Sequence, residues 1–147
     1  MLNFRHSAML ECWGTVKLSA LSEAVVRNGG RGNFKTGSDF EEWVGRVLRL
    51  DKAKFGLKNG EEVTRGVAGS RIPDYDQFLG GLLEVKMTGN ALKKPQFVEF
   101  VRYSENEGKP LTYLFLEKPS DQKIRLMSGW LDEMGSDLTV GVKYLVE

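Results

Sequence analysis

Apolar and polar positions along the chain change period several times, and each change marks an element. Leu82 to Met87 reads as a strand: Glu84 and Lys86 point to one side, while Leu83, Val85 and Met87 point to the other. Phe40, Val44, Val47 and Leu48 recur at helical spacing between Ser38 and about Leu50, and Ser38 with Glu41 spells a capping box at the start of that helix. Phe97, Phe100 and Val101 give the apolar side of a second helix from about Lys94 to Glu105, with Pro95 in its first turn. The near-continuous apolar run Leu111 to Leu116 suits a strand buried on both faces, parallel to the Glu84 strand, with the intervening helix as crossover. Ser120 or Asp121 caps a third helix through Met134, carrying Ile124, Met127, Trp130 and Leu131. Leu138, Val140, Val142, Tyr144 and Val146 then alternate as a final half-buried strand. Upstream, Glu61 to Ala68 reads as the first strand, interrupted by Gly66, and Gly69-Ser70 leads into a strand at Pro73-Asp74. Met9, Leu10, Trp13, Val16, Leu21, Val25 and Val26 suggest one or two short helices, stopped by Asn28-Gly29-Gly30 and followed by a flexible connection to Gly37.

Chemistry concentrates where Arg71-Ile72-Pro73-Asp74 meets the Glu84 strand. The segment Tyr75 to Gly81 can fold back through Gly80-Gly81, a pair that supplies the positive φ of a tight hairpin, and so bring Asp74 alongside Glu84. Two carboxylates converging with the Lys86 amine suit a hard divalent cation, which takes oxygen ligands; the ammonium can hold a phosphate or an attacking water. The competing reading of these three residues is an ion-pair cluster on a strand face. At about 100° per residue Glu41 falls at the border of its helix's apolar stripe and can look inward, whereas Glu42 lies beside Arg49 on the wet side. Glu41 as capping partner alone is the alternative.

Other candidates are weaker. Lys52, Lys54 and Lys58 near Arg46 and Arg49 form a charge run that reads either as a solvated face or as phosphate contacts. A second Glu-x-Lys, Glu107-Gly108-Lys109, lies in loop-forming composition without a Pro-Asp before it. Lys35-Thr36 looks like the end of a phosphate-binding loop, but Phe34 stands where glycine is needed and no strand precedes it.

Composition narrows the field. The 147 residues suffice for one domain with a continuous core, and 41% apolar with 28% charged residues is ordinary for a globular protein. One cysteine, Cys12, excludes a disulfide within the chain, and one histidine, His6, leaves neither a Cys/His zinc cluster nor a well-placed partner for a nucleophilic serine or cysteine. No apolar run approaches the roughly 20 residues of a membrane span, and Arg5, His6 and Glu11 make a poor signal peptide. A net charge of +1 creates no global basic field, so any affinity for nucleic acid must come from local clusters.

The pairing of Pro73-Asp74 with Glu84-Val85-Lys86 resembles the PD-(D/E)XK, or restriction-endonuclease-like, nuclease superfamily. Gly37-x-x-Phe40-Glu41 is similar to the first helix of many of these nucleases, and Gln96 matches a glutamine often found at the start of the next helix in toxin and resolvase branches; its alternative is an exposed polar residue. The resemblance runs from Ser38 to Leu116. It implies an α/β fold with a mixed central sheet flanked by helices in the order αβββαβ, a C-terminal helix and strand beyond it, and a division into a helical extension over residues 1–35 and a nuclease domain over 36–147. It further implies that Asp74, Glu84 and the Val85 carbonyl hold Mg²⁺ or Mn²⁺, that Glu41 joins directly or through water, and that Lys86 orients the attacking water or stabilises the pentacovalent charge. Gln96 would lie close to the active-site strand. Within the superfamily the chain looks most like the C-terminal nuclease toxins of bacterial contact-dependent inhibition and polymorphic toxin systems. These are delivered by a secretion system, cut DNA or tRNA in the target-cell cytoplasm, and are neutralised by an immunity protein. Two alternatives remain: a cytoplasmic housekeeping DNA endonuclease of restriction or junction-resolvase type, and a catalytically silent nucleic-acid or protein-binding module on the same fold.

Overall fold

The alternation of strand and helix from residue 81 onward builds three parallel strands at the centre of the main sheet. A computed structural model describes residues 4–7, 12–13, 16–17, 21, 23–25 and 34–146. Strands β1 (Phe4–Ser7), β2 (Cys12–Trp13) and β3 (Val16–Lys17) precede helix α1 (Gly37–Leu48); β4 (Phe55–Lys58), β5 (Glu61–Thr64), β6 (Tyr75–Phe78) and β7 (Gly81–Lys86) follow. Helix α2 (Lys94–Glu107), β8 (Leu111–Glu117), helix α3 (Asp121–Met134) and β9 (Val140–Val146) complete the order. The central sheet runs β1-β9-β8-β7-β6, with β6 antiparallel to β7 and every other pair parallel. The architecture is thus mixed α/β, a mixed sheet flanked by helices. No helix among the described residues is long and apolar enough to cross a membrane.

Both crossover helices cover one face. Phe97, Phe100 and Val101 of α2 and Met127 and Leu131 of α3 pack there with Leu82, Tyr113, Phe115, Val140 and Val142. On the opposite face α1 lays Phe40, Trp43 and Val44 against Tyr75, Leu83, Val85, Leu114, Leu116 and Leu145, joined by Leu21, Val25 and Phe34. Because β9 lies between β8 and β1 with cover on both sides, it is buried along most of its length rather than half-buried as its alternation predicts.

Several local expectations are corrected. The N-cap of α1 is Thr36, whose Oγ1 accepts from the Asp39 N–H at 3.1 Å while Asp39 Oδ2 accepts from the Thr36 N–H at 3.2 Å. The capping box is therefore Thr36 with Asp39 and not Ser38 with Glu41, which leaves the Glu41 carboxylate free for other partners. The buried stripe of α1 is Phe40, Trp43, Val44 and Gly45, and Val47 is 40% exposed on the outer side. The basic segment after α1 contains a strand: β4 pairs with β5 as a two-stranded sheet of its own, so the strand read at Glu61–Ala68 ends at Thr64 and stands outside the central sheet. Its turn, Asn59 and Gly60 at φ 54° and 78°, is of the primed kind that favours a two-residue hairpin. In the β6–β7 hairpin the positive-φ pair is Leu79 and Gly80, at 52° and 79°, rather than Gly80 and Gly81; Gly81 instead opens β7 against Pro110.

Among the described residues of the N-terminal segment read as helical there are three strands, with helix at Leu21 and Glu23–Val25. β1 joins the central sheet beside β9, placing Phe4 opposite Val140. Most of the glycine-rich connection, up to residue 33, lies outside the described residues.

Candidate functional site

The site is built where the antiparallel strand β6 begins beside the middle of β7. Pro73 and Asp74 precede β6 rather than lying in it, and the register that sets Tyr75 opposite Leu83 brings Asp74 next to Glu84. The Asp74 backbone N–H donates to Glu84 Oε1 at 2.7 Å, and Asp74 Oδ2 accepts from the Val85 N–H at 2.8 Å. Each carboxylate is thereby tied to the other's strand by one oxygen and retains a second for another partner. Alternation along β7 sends Leu83 and Val85 into the α1 layer and turns Glu84 and Lys86 toward the α2 side, where their neighbours on β8 are Tyr113 and Phe115.

Lys86 and Gln96 close the site from the carboxyl end of β7. The Lys86 amine lies 3.5 Å from Glu84 Oε2 and donates to Gln96 Oε1 at 2.8 Å. Gln96 sits in the first turn of α2, immediately before Phe97, whose buried ring fixes that turn against the sheet. Glu41 approaches from α1: it ion-pairs with Lys52, and its carboxylate lies close enough to Asp74 to raise that acid, while Glu42 is exposed. Tyr75 anchors this approach, its hydroxyl donating to the Glu41 carbonyl at 2.8 Å. Burial pushes that phenol up to about 12, so it stays a neutral donor.

Electrostatics single out the acid pair. Glu84 is only 1% exposed, and burial lifts its carboxyl to about 7 against the pull of the Lys86 ammonium and of the Asp74 N–H. Burial first, then the negative charges of Glu84 and Glu41, raise Asp74 to about 9. The two titrate together, and near neutral pH the pair holds a proton. With Glu41 paired to Lys52, the two buried carboxyls face the single ammonium of Lys86 and hold a proton between them, a proton that a divalent cation can displace. The donors are all oxygen, as a hard cation requires, and Asp74 and Glu84 each have an oxygen to offer, so the residues fit Mg²⁺ or Mn²⁺. Among the described residues no set of three His, Cys, Asp or Glu forms a ready metal cage, and the Glu41 carboxylate is engaged by Lys52.

All five side chains singled out in the sequence, Glu41, Asp74, Glu84, Lys86 and Gln96, therefore belong to one connected group. The second Glu-x-Lys lies elsewhere: Glu107 ends α2, Gly108 is its left-handed cap, and Lys109 sits over the Tyr103 ring. Of the basic run, Lys58 donates to the Ala68 carbonyl at 3.1 Å. Arg46 and Lys52 line an open hollow with Glu42, Gly45, Leu50 and Tyr75, next to Glu41. Sequence reading missed Tyr75 and Tyr113. The available signal for Tyr113 was a tyrosine in a strand read as buried on both faces, opposite the Glu84 position in a parallel pairing. Compared with known protein families, characterised proteins and solved structures, the chain finds no match.

Proposed function

We propose that this chain is a divalent-metal-dependent nuclease of the PD-(D/E)XK type. The observation that carries this reading is the reciprocal tie between Asp74 and Glu84 with the Lys86 amine beside it, because a structural ion-pair cluster has no need of two buried carboxyls that hold a proton at neutral pH. When bound, Mg²⁺ or Mn²⁺ supplies Lewis-acid polarisation of a phosphodiester and eases loss of a proton from water.

The chain's own groups divide the remaining work. Asp74 and Glu84 would hold the cation, with the Val85 carbonyl as a further oxygen. Lys86 donates toward a non-bridging phosphate oxygen as negative charge builds, or orients the attacking water, and Gln96 holds its amine in line through the 2.8 Å bond. Glu41 would join the cation directly or through water, and it carries Lys52 to the rim, where Lys52 and Arg46 offer positive charge to a nucleic-acid backbone.

Incubation with Mg²⁺ and either total tRNA or supercoiled plasmid tests the activity: cutting of one of them, abolished by EDTA, is expected. Failure to cut either supports the silent-module alternative. The toxin branch, with its dedicated immunity protein, rests on the resemblance of Phe40-Glu41, Pro73-Asp74, Glu84-Val85-Lys86 and Gln96. It predicts growth arrest on cytosolic expression, relieved by the product of the adjacent reading frame; a housekeeping nuclease would cause no arrest.

A further inference from the structure

Tyr113 is the residue on β8 directly opposite Glu84 in the parallel β7–β8 pairing, and both side chains rise on the same face of the sheet. Each is 1% exposed. The Tyr113 ring is gripped by Phe97 at 5.8 Å and stacked on Phe115 at 6.1 Å between centroids, so the side chain has little freedom to turn its hydroxyl elsewhere. Yet among the described residues that hydroxyl finds no hydrogen-bond partner. A buried hydroxyl without a partner is costly, and phenylalanine at this position would avoid the cost with the same ring. Its nearest anionic surroundings are the carboxyls of Glu84 and Asp74, whose charge, together with burial, holds the phenol well above its ordinary range. The phenol is therefore a donor at any ordinary pH.

Neighbouring strands lie about 4.8 Å apart, and the hydroxyl lies beyond hydrogen-bond distance of the Glu84 carboxylate, so a link between the two needs a bridging water. Glu84 uses Oε1 for the Asp74 N–H and faces Lys86 with Oε2, which still leaves lone pairs for a further donor. We propose that Tyr113 is a positioning residue of the acid site: its hydroxyl donates through a single buried water to the Glu84 carboxylate and holds Glu84 in the orientation that receives a divalent cation. The inference rests on the reading of Asp74 and Glu84 as metal ligands and extends the site to a third strand of the sheet.

The test is calorimetric titration of Mn²⁺ into the full chain, wild type beside two variants whose folding is checked by circular dichroism. Tyr113→Phe removes the hydroxyl and keeps the ring; Mn²⁺ affinity is expected to fall about tenfold or more, the usual effect of losing an outer partner of a metal ligand. Val142→Ala loosens packing on the side of Tyr113 away from Glu84 and leaves the hydroxyl in place; it is expected to melt earlier with affinity within about twofold of wild type. Equal affinity of Tyr113→Phe and wild type overturns the tyrosine's role, as does an equal loss in both variants, which makes the effect one of packing. A Tyr113→Phe chain that no longer folds makes the hydroxyl structural and overturns it too. A wild-type chain that takes up no Mn²⁺ is a different failure: it removes the metal reading itself, and the inference with it.

Discussion

Asp74 and Glu84 hold each other through the backbone: the amide of Asp74 bonds the Glu84 carboxylate at 2.7 Å, and the Asp74 carboxylate bonds the amide that follows Glu84. The hairpin thus sets two acids together and makes each the other's support. Replacing Asp74 by alanine strands the Val85 N–H, at a cost of about 1–3 kcal/mol. Asp74→Asn keeps an acceptor for that N–H and removes the need to take up a proton on folding at pH 8. Cleavage is expected to be lost in both. In metal-free buffer at pH 8, Asp74→Asn is expected to melt above wild type and Asp74→Ala below Asp74→Asn. Scanning calorimetry reads the order, and an Asp74→Asn protein less stable than wild type would reject the charge-crowding explanation.

The same crowding gives stability a pH dependence of definite sign. Asp74 rises from 3.8 to about 9 and Glu84 from 4.5 to about 7 on folding, so the folded chain binds these protons more tightly than the unfolded chain. The stabilisation they contribute is complete below about pH 4 and is lost as pH rises through 7 and then 9. Melting temperature in EDTA is expected to fall between pH 5.5 and 9, and saturating Mg²⁺ is expected to restore it at pH 8.5 but not at 5.5. A metal-free melting curve that is level over this range contradicts the assignment.

Much of this arrangement is legible in the residue order. Alternation of Leu83, Glu84, Val85 and Lys86 fixes which side chains share a face, and the turn before Gly81 sets Asp74 beside Glu84 even though the turn's positive-φ residues are Leu79 and Gly80. Helices α2 and α3 and the parallel pairing of β7 with β8 follow from periods and a crossover helix, whereas the alternation of β9 does not tell that it runs parallel beside β8. The strand β4 was hidden because Phe55-Gly56-Leu57-Lys58 is short and sits in a basic run, although Asn59-Gly60 is a hairpin signal. β1 pairs with β9 from the other end of the chain, a contact that no local pattern encodes. Glu41 faces the site because Asp39 takes its place in the cap, and two adjacent Thr/Ser–acid spellings cannot be ranked without the backbone.

Gln96 is expected to act on rate through Lys86. Gln96→Ala frees the ammonium from its 2.8 Å acceptor, and a loss of about tenfold in kcat, or about 1.4 kcal/mol of barrier, with unchanged Mn²⁺ affinity is the expected result. Single-turnover cleavage alongside calorimetry separates the two quantities. A variant as fast as wild type assigns Gln96 a purely structural place.

Gly45 sets how closely α1 can approach β6. A Cβ at this position would run into the Tyr75 hydroxyl and ring, which donates to the Glu41 carbonyl. Gly45→Ala is expected to cost about 1–3 kcal/mol through overpacking despite the better helix propensity of alanine. It is also expected to weaken Mn²⁺ binding by displacing Glu41. Denaturant melts and the same titration check both, and a variant more stable than wild type would show that the contact yields.

Lys86 distinguishes a nuclease from an acid cluster that merely binds metal. The decisive measurement is gel-resolved cleavage of tRNA and of supercoiled DNA in Mg²⁺ by wild type and by Lys86→Ala, each shown to be folded. The expected result is cutting of one substrate by wild type and a loss on the order of 10²–10⁴-fold in Lys86→Ala. Intact substrates with wild type, or equal rates for the two proteins, would contradict it.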